Sequence, residues 1–153
     1  MAKTIKASEL PGMVGQEFEP SPWIEITQER VNLFADATND HQFIHIDPGK
    51  AAKTPFGGTI AHGFLSLSLL SYLNAQTAMI PERLVMGVNY GSDKVRYLAP
   101  VKVGKRIRSR QKLLEAAEKR PGQWLTKTAV TVEIEGESTP ALVAEILSLY
   151  IVQ

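Results

Sequence analysis

Residues 60–76 read as one helix that is apolar nearly all round. Phe64, Leu65, Leu67, Leu69, Leu70 and Leu73 leave no broad polar stripe to face water. A helix of that kind belongs inside a fold, not on its surface. The apolar run is too short for a bilayer and is interrupted by Ser66, Ser68 and Ser71. The rest of the chain must therefore supply a cover. Phe64 to Leu73 is expected to be almost wholly buried against one antiparallel sheet.

The cover is visible downstream. Pro81 ends the helical region, and the apolar period then changes toward two. Candidate strands are 84–90, 93–98, 105–116, 123–135 and 140–151. In the fourth, Val130, Val132 and Ile134 share one face; Thr131, Glu133 and Glu135 share the other. Residues 118–122 and 136–140 read as hairpin connections. The order points to an antiparallel sheet packed on one buried helix, an α+β architecture. Upstream, residues 1–22 read as irregular, with Pro11, Gly12, Gly15, Pro20 and Pro22 as breakers. Thr27 can cap a helix over 28–37 whose Val31, Phe34 and Thr38 share a face. At 153 residues, without repeats or a linker, one domain over 1–153 is the expectation.

Two segments carry chemistry. Asp40-His41-Gln42-Phe43-Ile44-His45 places a carboxylate and an imidazole five residues apart in a stretch that reads as loop. Extended chain would separate the two by roughly 17 Å. A helix would hold them ~7.5 Å apart along its axis, on different faces. Only a turn that folds the segment back brings both to one water. The second segment, Phe56-Gly57-Gly58-Thr59-Ile60-Ala61-His62-Gly63, opens the apolar helix, where backbone amides stabilise negative charge. Each residue alone has an ordinary structural explanation: a turn cap, a core histidine, a glycine for close packing. Together they point to proton transfer at one end of a carbonyl compound and an oxyanion held at the other. The Gly63 amide is available only if the helix begins late enough to leave it unbonded.

Composition narrows the classes. A net charge of +1 offers no broad field for nucleic acid or a membrane surface. Arg96, Lys102, Lys105, Arg106, Arg108, Arg110 and Lys112 form a local basic stretch. It is either the solvated face of a strand or an attraction for a phosphate-bearing substrate. The chain has no cysteine, so it has no disulfide, thiol nucleophile or cysteine metal site. His41 and His45 have a zinc-like spacing, but no glutamate follows the first. A third ligand, Asp47 or His62, would meet them only by coincidence of folding. No metal and no cofactor are expected. No Gly-x-Ser-x-Gly elbow and no phosphate loop are present. Residues 1–12 lack an apolar leader core, and a cytoplasmic protein is the simplest reading.

The stretch from Phe34 to Leu70 resembles the MaoC-type (R)-specific enoyl-CoA hydratases (hydratase 2), in particular the NodN-like subgroup. The resemblance rests on Asp40, His45, Asp47, Phe56, Ile60, Ala61, His62 and Gly63, and extends over Lys94 to Gly104. The chain departs from that pattern at Gln42-Phe43, where the family has Asn-Pro. A proline there would fix φ within the turn; the ring of Phe43 is expected to pin the loop instead.

The resemblance implies a hot-dog fold, a curved sheet wrapped around a long helix, and a homodimer with sheets joined edge to edge. It implies addition of water to trans-2-enoyl thioesters of CoA or acyl-carrier protein, with an (R)-3-hydroxyacyl product. Asp40 and His45 would be the catalytic pair; either could be the base toward water, and an imidazole that is largely neutral at pH 7 favours His45. Gly63 would offer the oxyanion amide, Ser71 would support the site, and His62 would be structural. Asn89 and Tyr90 are candidate pocket residues. Two other classes share these residues: a hot-dog thioesterase, and an acyl-thioester binding protein without turnover.

Overall fold

The computed structural model describes residues 2–153. Strand β1 (Lys3–Ile5) pairs in parallel with β3 (Met79–Pro81), and a 3-10 helix spans Ala7–Met13. The segment read as irregular therefore has structure of its own, because its short strand finds a partner only after the central helix. β2 (Ile24–Glu25) leads to helix α1 (Gln28–Thr38), with Thr27 Oγ1 accepting from Arg30 N at 3.1 Å as the N-cap. Val31 and Ala35 are the buried face of α1. Thr38 is exposed, and its hydroxyl bonds back to the Phe34 carbonyl at 2.7 Å.

The long loop contains two single-turn helices, α2 (Phe43–Ile46) and α3 (Pro48–Ala51). The central helix follows as α4 (Gly63–Ser68) and α5 (Leu70–Ala75), broken at Leu69. Leu65, Leu70 and Leu73 join Ile26, Val31, Ile107, Val130, Val132 and Ile134 in one core cluster. Each such buried side chain contributes roughly 1.5–3 kcal/mol of transfer free energy. The opposite side of the helix is open: Phe64 is 70% exposed and Tyr72 54%. The expectation that Phe64 to Leu73 would be almost wholly buried is corrected here. One sheet covers only one side of a cylinder, and the described residues form one large sheet besides the two-stranded β1–β3 pair.

That sheet has five antiparallel strands in the order β2-β5-β6-β7-β4. β4 (Leu84–Tyr97) runs through both the first and second expected strands, with register shifts that bend it. β5 (Arg106–Arg120) and β6 (Gln123–Ile134) meet at a tight turn where Gly122 has φ +75°, and a Cβ there would lie 2.7 Å from the Val152 carbonyl oxygen. β7 (Leu142–Val152) closes the sheet against β4. The two-face pattern of β6 is as read. Val130, Val132 and Ile134 are buried, and Glu133 lies on the other face beside Arg108 and Arg110. A curled antiparallel sheet against a central helix is the hot-dog form of the α+β class.

Four of the seven residues in the basic stretch are ion-paired on the sheet. Arg106 pairs with Glu135, and Arg108 and Arg110 share Glu133, each at 2.6 Å. Lys105 lies 3.6 Å from Glu137. The arginine pairs are cross-strand ion pairs on a solvated face.

Candidate active site

Asp40 and His45 are brought together by local chain reversals. Helix α1 ends at Thr38, and Asn39 adopts the left-handed conformation at φ 58° that asparagine tolerates. Asp40 Oδ1 then accepts from Gln42 N at 3.3 Å, and His45 N donates to the Gln42 carbonyl at 2.9 Å. The single turn of α2 folds His45 back toward Asp40. The Phe43 ring does not pin this turn, because it is 42% exposed. Backbone bonds do: Asp47 N to the Phe43 carbonyl at 3.0 Å, and Ile60 N to the Ile44 carbonyl at 3.0 Å.

The segment before the central helix forms the other wall. Ala61 N donates to the Val101 carbonyl at 2.8 Å, and Val103 N to the Thr59 carbonyl at 3.0 Å. Held this way, Ile60 presents its carbonyl to His45 Nδ1 at 2.7 Å. A carbonyl only accepts, so Nδ1 carries the hydrogen and Nε2 is left with a lone pair. Burial lowers the His45 pKa below 6.5. The neighbouring His62 acts in the same direction, and the Ile60 bond and the Asp40 charge oppose it. His45 is therefore neutral near pH 7 with one nitrogen free to take a proton.

His62 is the centre of this packing. Its ring stacks on His45 with centroids 3.8 Å apart and lies 4.9 Å from the Phe34 ring. Its Nε2 donates to the Asp40 backbone carbonyl at 3.0 Å and sits 3.9 Å from Asp40 Oδ2. Among the described residues, Nδ1 has no partner although it is buried. His62 therefore orients the Asp40 segment and the His45 ring together, in keeping with the structural part expected of it.

One carboxylate oxygen of Asp40 and one ring nitrogen each of His45 and His62 lie within 4.8 Å of one another. The donor types suit a cation, but the ring geometry does not. Stacked imidazoles aim their in-plane lone pairs side by side rather than at one point, and each ring already gives a nitrogen to a carbonyl. The other sequence candidates for ligands lie elsewhere. His41 Nε2 faces Asp36 Oδ1 at 2.8 Å near the surface, and Asp47 Oδ1 caps α3 by accepting from Lys50 N at 3.0 Å.

Gly63 is the first residue of α4, so its amide has no acceptor within the helix. Among the described residues no backbone carbonyl takes it. Glycine has a packing reason here as well: a Cβ would lie 2.9 Å from Tyr97 Cε1. Tyr97, reaching over from β4, was not singled out in the sequence; only a long-range contact identifies it. Ser71 is not brought to the pair. It lies two turns further along, where Asn89 Nδ2 donates to its Oγ at 3.4 Å. Ser71, Asn89 and Tyr90 line a groove of about 600 Å³ between the central helix and β4, and neither Asp40 nor His45 lines it.

This fold and this paired site define a class. Residues 9–137 match the family model described as MaoC like domain. The chain belongs to the MaoC-like dehydratase family. It is 48% identical over 146 residues to nodulation protein N of Rhizobium meliloti (strain 1021), covering 95% of this chain and 91% of that protein. It is 45% identical over 144 residues to 3-hydroxyacyl-thioester dehydratase Z of Mycobacterium tuberculosis, covering 94% and 95% respectively. Among solved structures, the unliganded R-hydratase PhaJ1 from Pseudomonas aeruginosa superimposes with a TM-score of 0.74 at 26% identity, over 99% of this chain and 89% of that one. Among the described residues no helix is long and apolar enough to cross a membrane.

Proposed function

We propose that the chain, acting as one domain over 1–153, adds water to trans-2-enoyl thioesters of CoA or acyl-carrier protein and runs the reverse dehydration. The observation that carries this reading is the meeting of Asp40 with a neutral, tautomer-fixed His45 beside the unengaged Gly63 amide. The relatives named as a 3-hydroxyacyl-thioester dehydratase and an R-hydratase support it.

In this mechanism one water sits between Asp40 and His45. Nε2 of His45 takes a proton from the water as its oxygen attacks the β-carbon. The double-bond electrons move onto the thioester oxygen, where the Gly63 N–H meets the developing charge. The α-carbon then receives a proton from the imidazolium, directly or through Asp40. Either route returns both groups to their starting state. Delivery to the face from which water came gives syn addition, and the likeness to an R-hydratase supports attack on the face that yields the (R)-3-hydroxyacyl thioester. Loss of the enoyl-thioester ultraviolet band with crotonyl-CoA or an eight-carbon enoyl-CoA, and recovery of that product, is the expected result. Release of free CoA without hydroxyacyl product would overturn it in favour of a thioesterase, and binding without turnover in favour of a carrier.

The same reading includes a homodimer. β4 is a sheet edge, and Val85, Met86, Val88, Tyr90 and Leu98 lie exposed on it or just beyond it, as Phe64 and Tyr72 do on the open helix side; Phe64 meets Tyr97 of the same strand edge-on. An apolar edge of that length invites pairing. A second copy of β4, laid antiparallel, would satisfy the edge and cover the helix.

A further inference from the structure

Gln28 lies at the start of α1, far in sequence from both walls of the site, and its side chain bonds to each. Nε2 donates to the His45 backbone carbonyl at 2.7 Å and to Asn32 Oδ1 at 2.9 Å. Oε1 accepts from Thr59 Oγ1 at 2.6 Å. A backbone carbonyl accepts only, which fixes the amide orientation. Helix α2 has a single turn, so its last carbonyls lack helical partners, and Gln28 supplies one to His45. Thr59 is buried and directly precedes Ile60, whose carbonyl holds His45 Nδ1. One side chain thus grips the backbone of the histidine and the residue next to that histidine's acceptor.

We propose that Gln28 is a positioning residue for His45. It clamps the α2 turn to the Thr59–Ile60 segment, which keeps Nδ1–H on the Ile60 carbonyl and Nε2 free. Gln28 touches neither substrate nor reacting atoms and acts only through the histidine. This rests on reading His45 as the base, but the clamp itself can be tested without turnover.

Gln28→Leu removes all three bonds at similar side-chain length. Turnover of crotonyl-CoA should fall by about 10²-fold, the scale of a small misplacement of a catalytic group. KM should change little, since no binding contact is lost. Nitrogen-15 NMR of histidine-labelled protein should show His45 changing from one Nδ1–H tautomer to a mixture. Thr59→Val removes only the hydroxyl arm and should show the same signature at roughly tenfold lower kcat, the scale of one hydrogen bond. It decides the matter if Gln28→Leu does not fold. A folded variant with an unchanged tautomer overturns the clamp, whatever its kcat. Wild-type protein that shows the single tautomer but never hydrates an enoyl thioester would instead overturn the function proposed for the site.

Discussion

His45 is 7% exposed and held on several sides by its own chain, whereas no residue of β4 is buried. Both regions border the central helix: His45 stacks on His62 just before its start, and β4 reaches it through Tyr97 beside Gly63. Around His45 a backbone carbonyl, a stacked ring and a one-turn helix complete the surroundings within a single copy. Along β4 the apolar side chains have half an environment: β7 on one edge and, among the described residues, no strand on the other. The geometry around His45 is complete within one copy, and the burial of the helix is not. Tyr97 and Gly63 mark the border, where the strand touches the helix start.

The largest expected effect tests the self-contained side. Asp40→Asn and His45→Gln should each lower kcat by about 10²–10⁴. The double variant should be little worse than the poorer single, because groups acting on one water are not additive. Multiplicative losses in the folded double variant would show that the two act in separate steps. At the border, Gly63→Val should cost about 10²–10³ in kcat, the scale of one lost oxyanion donor. Tyr97→Ala in that background relieves the clash. Activity restored by Tyr97→Ala would make Gly63 a packing residue only.

On the incomplete side, Val88→Lys places a charge on the free edge. Sedimentation should show the particle mass fall from two chains to one. A wild-type protein that sediments as a monomer at micromolar concentration would end the edge-pairing proposal. The smallest effect is in the pH profile of kcat/KM. Burial holds the His45 pKa below 6.5, so the imidazole stays neutral until the pH drops under that value. Activity should therefore be flat across pH 6.5 and decline only on its acid side. A midpoint above 6.5 would mean that His45 is not desolvated as its surroundings require.

Legibility differed between the two regions for physical reasons. The strands were readable because alternation forces faces: Val130, Val132 and Ile134 could only point one way together. The α1 cap at Thr27 was readable because capping is a local bond. The loop from Asp40 was not. Its two single-turn helices have too few residues for a periodic signal, and its path is held by bonds to Ile60 and Val101, distant in sequence. The late start of the central helix, at Gly63 rather than Ile60, has the same origin. Residues 59–61 are tied in extended form to 101–103 before a helix can begin.

The sequence by itself determined the class: a helix too apolar for water, strands with alternating faces, and an Asp and a His whose spacing requires a turn. Those are consequences of residue type and period, which act over a few positions. Only the tertiary structure decided that His45 carries its hydrogen on Nδ1, that His62 stacks on it, and that one side of the helix stays open. Each of these depends on a partner supplied from elsewhere in the chain, or, for the open helix side, on a partner that this chain does not supply. Periodicity encodes which face is apolar; what finally lies against that face is set by packing at long range.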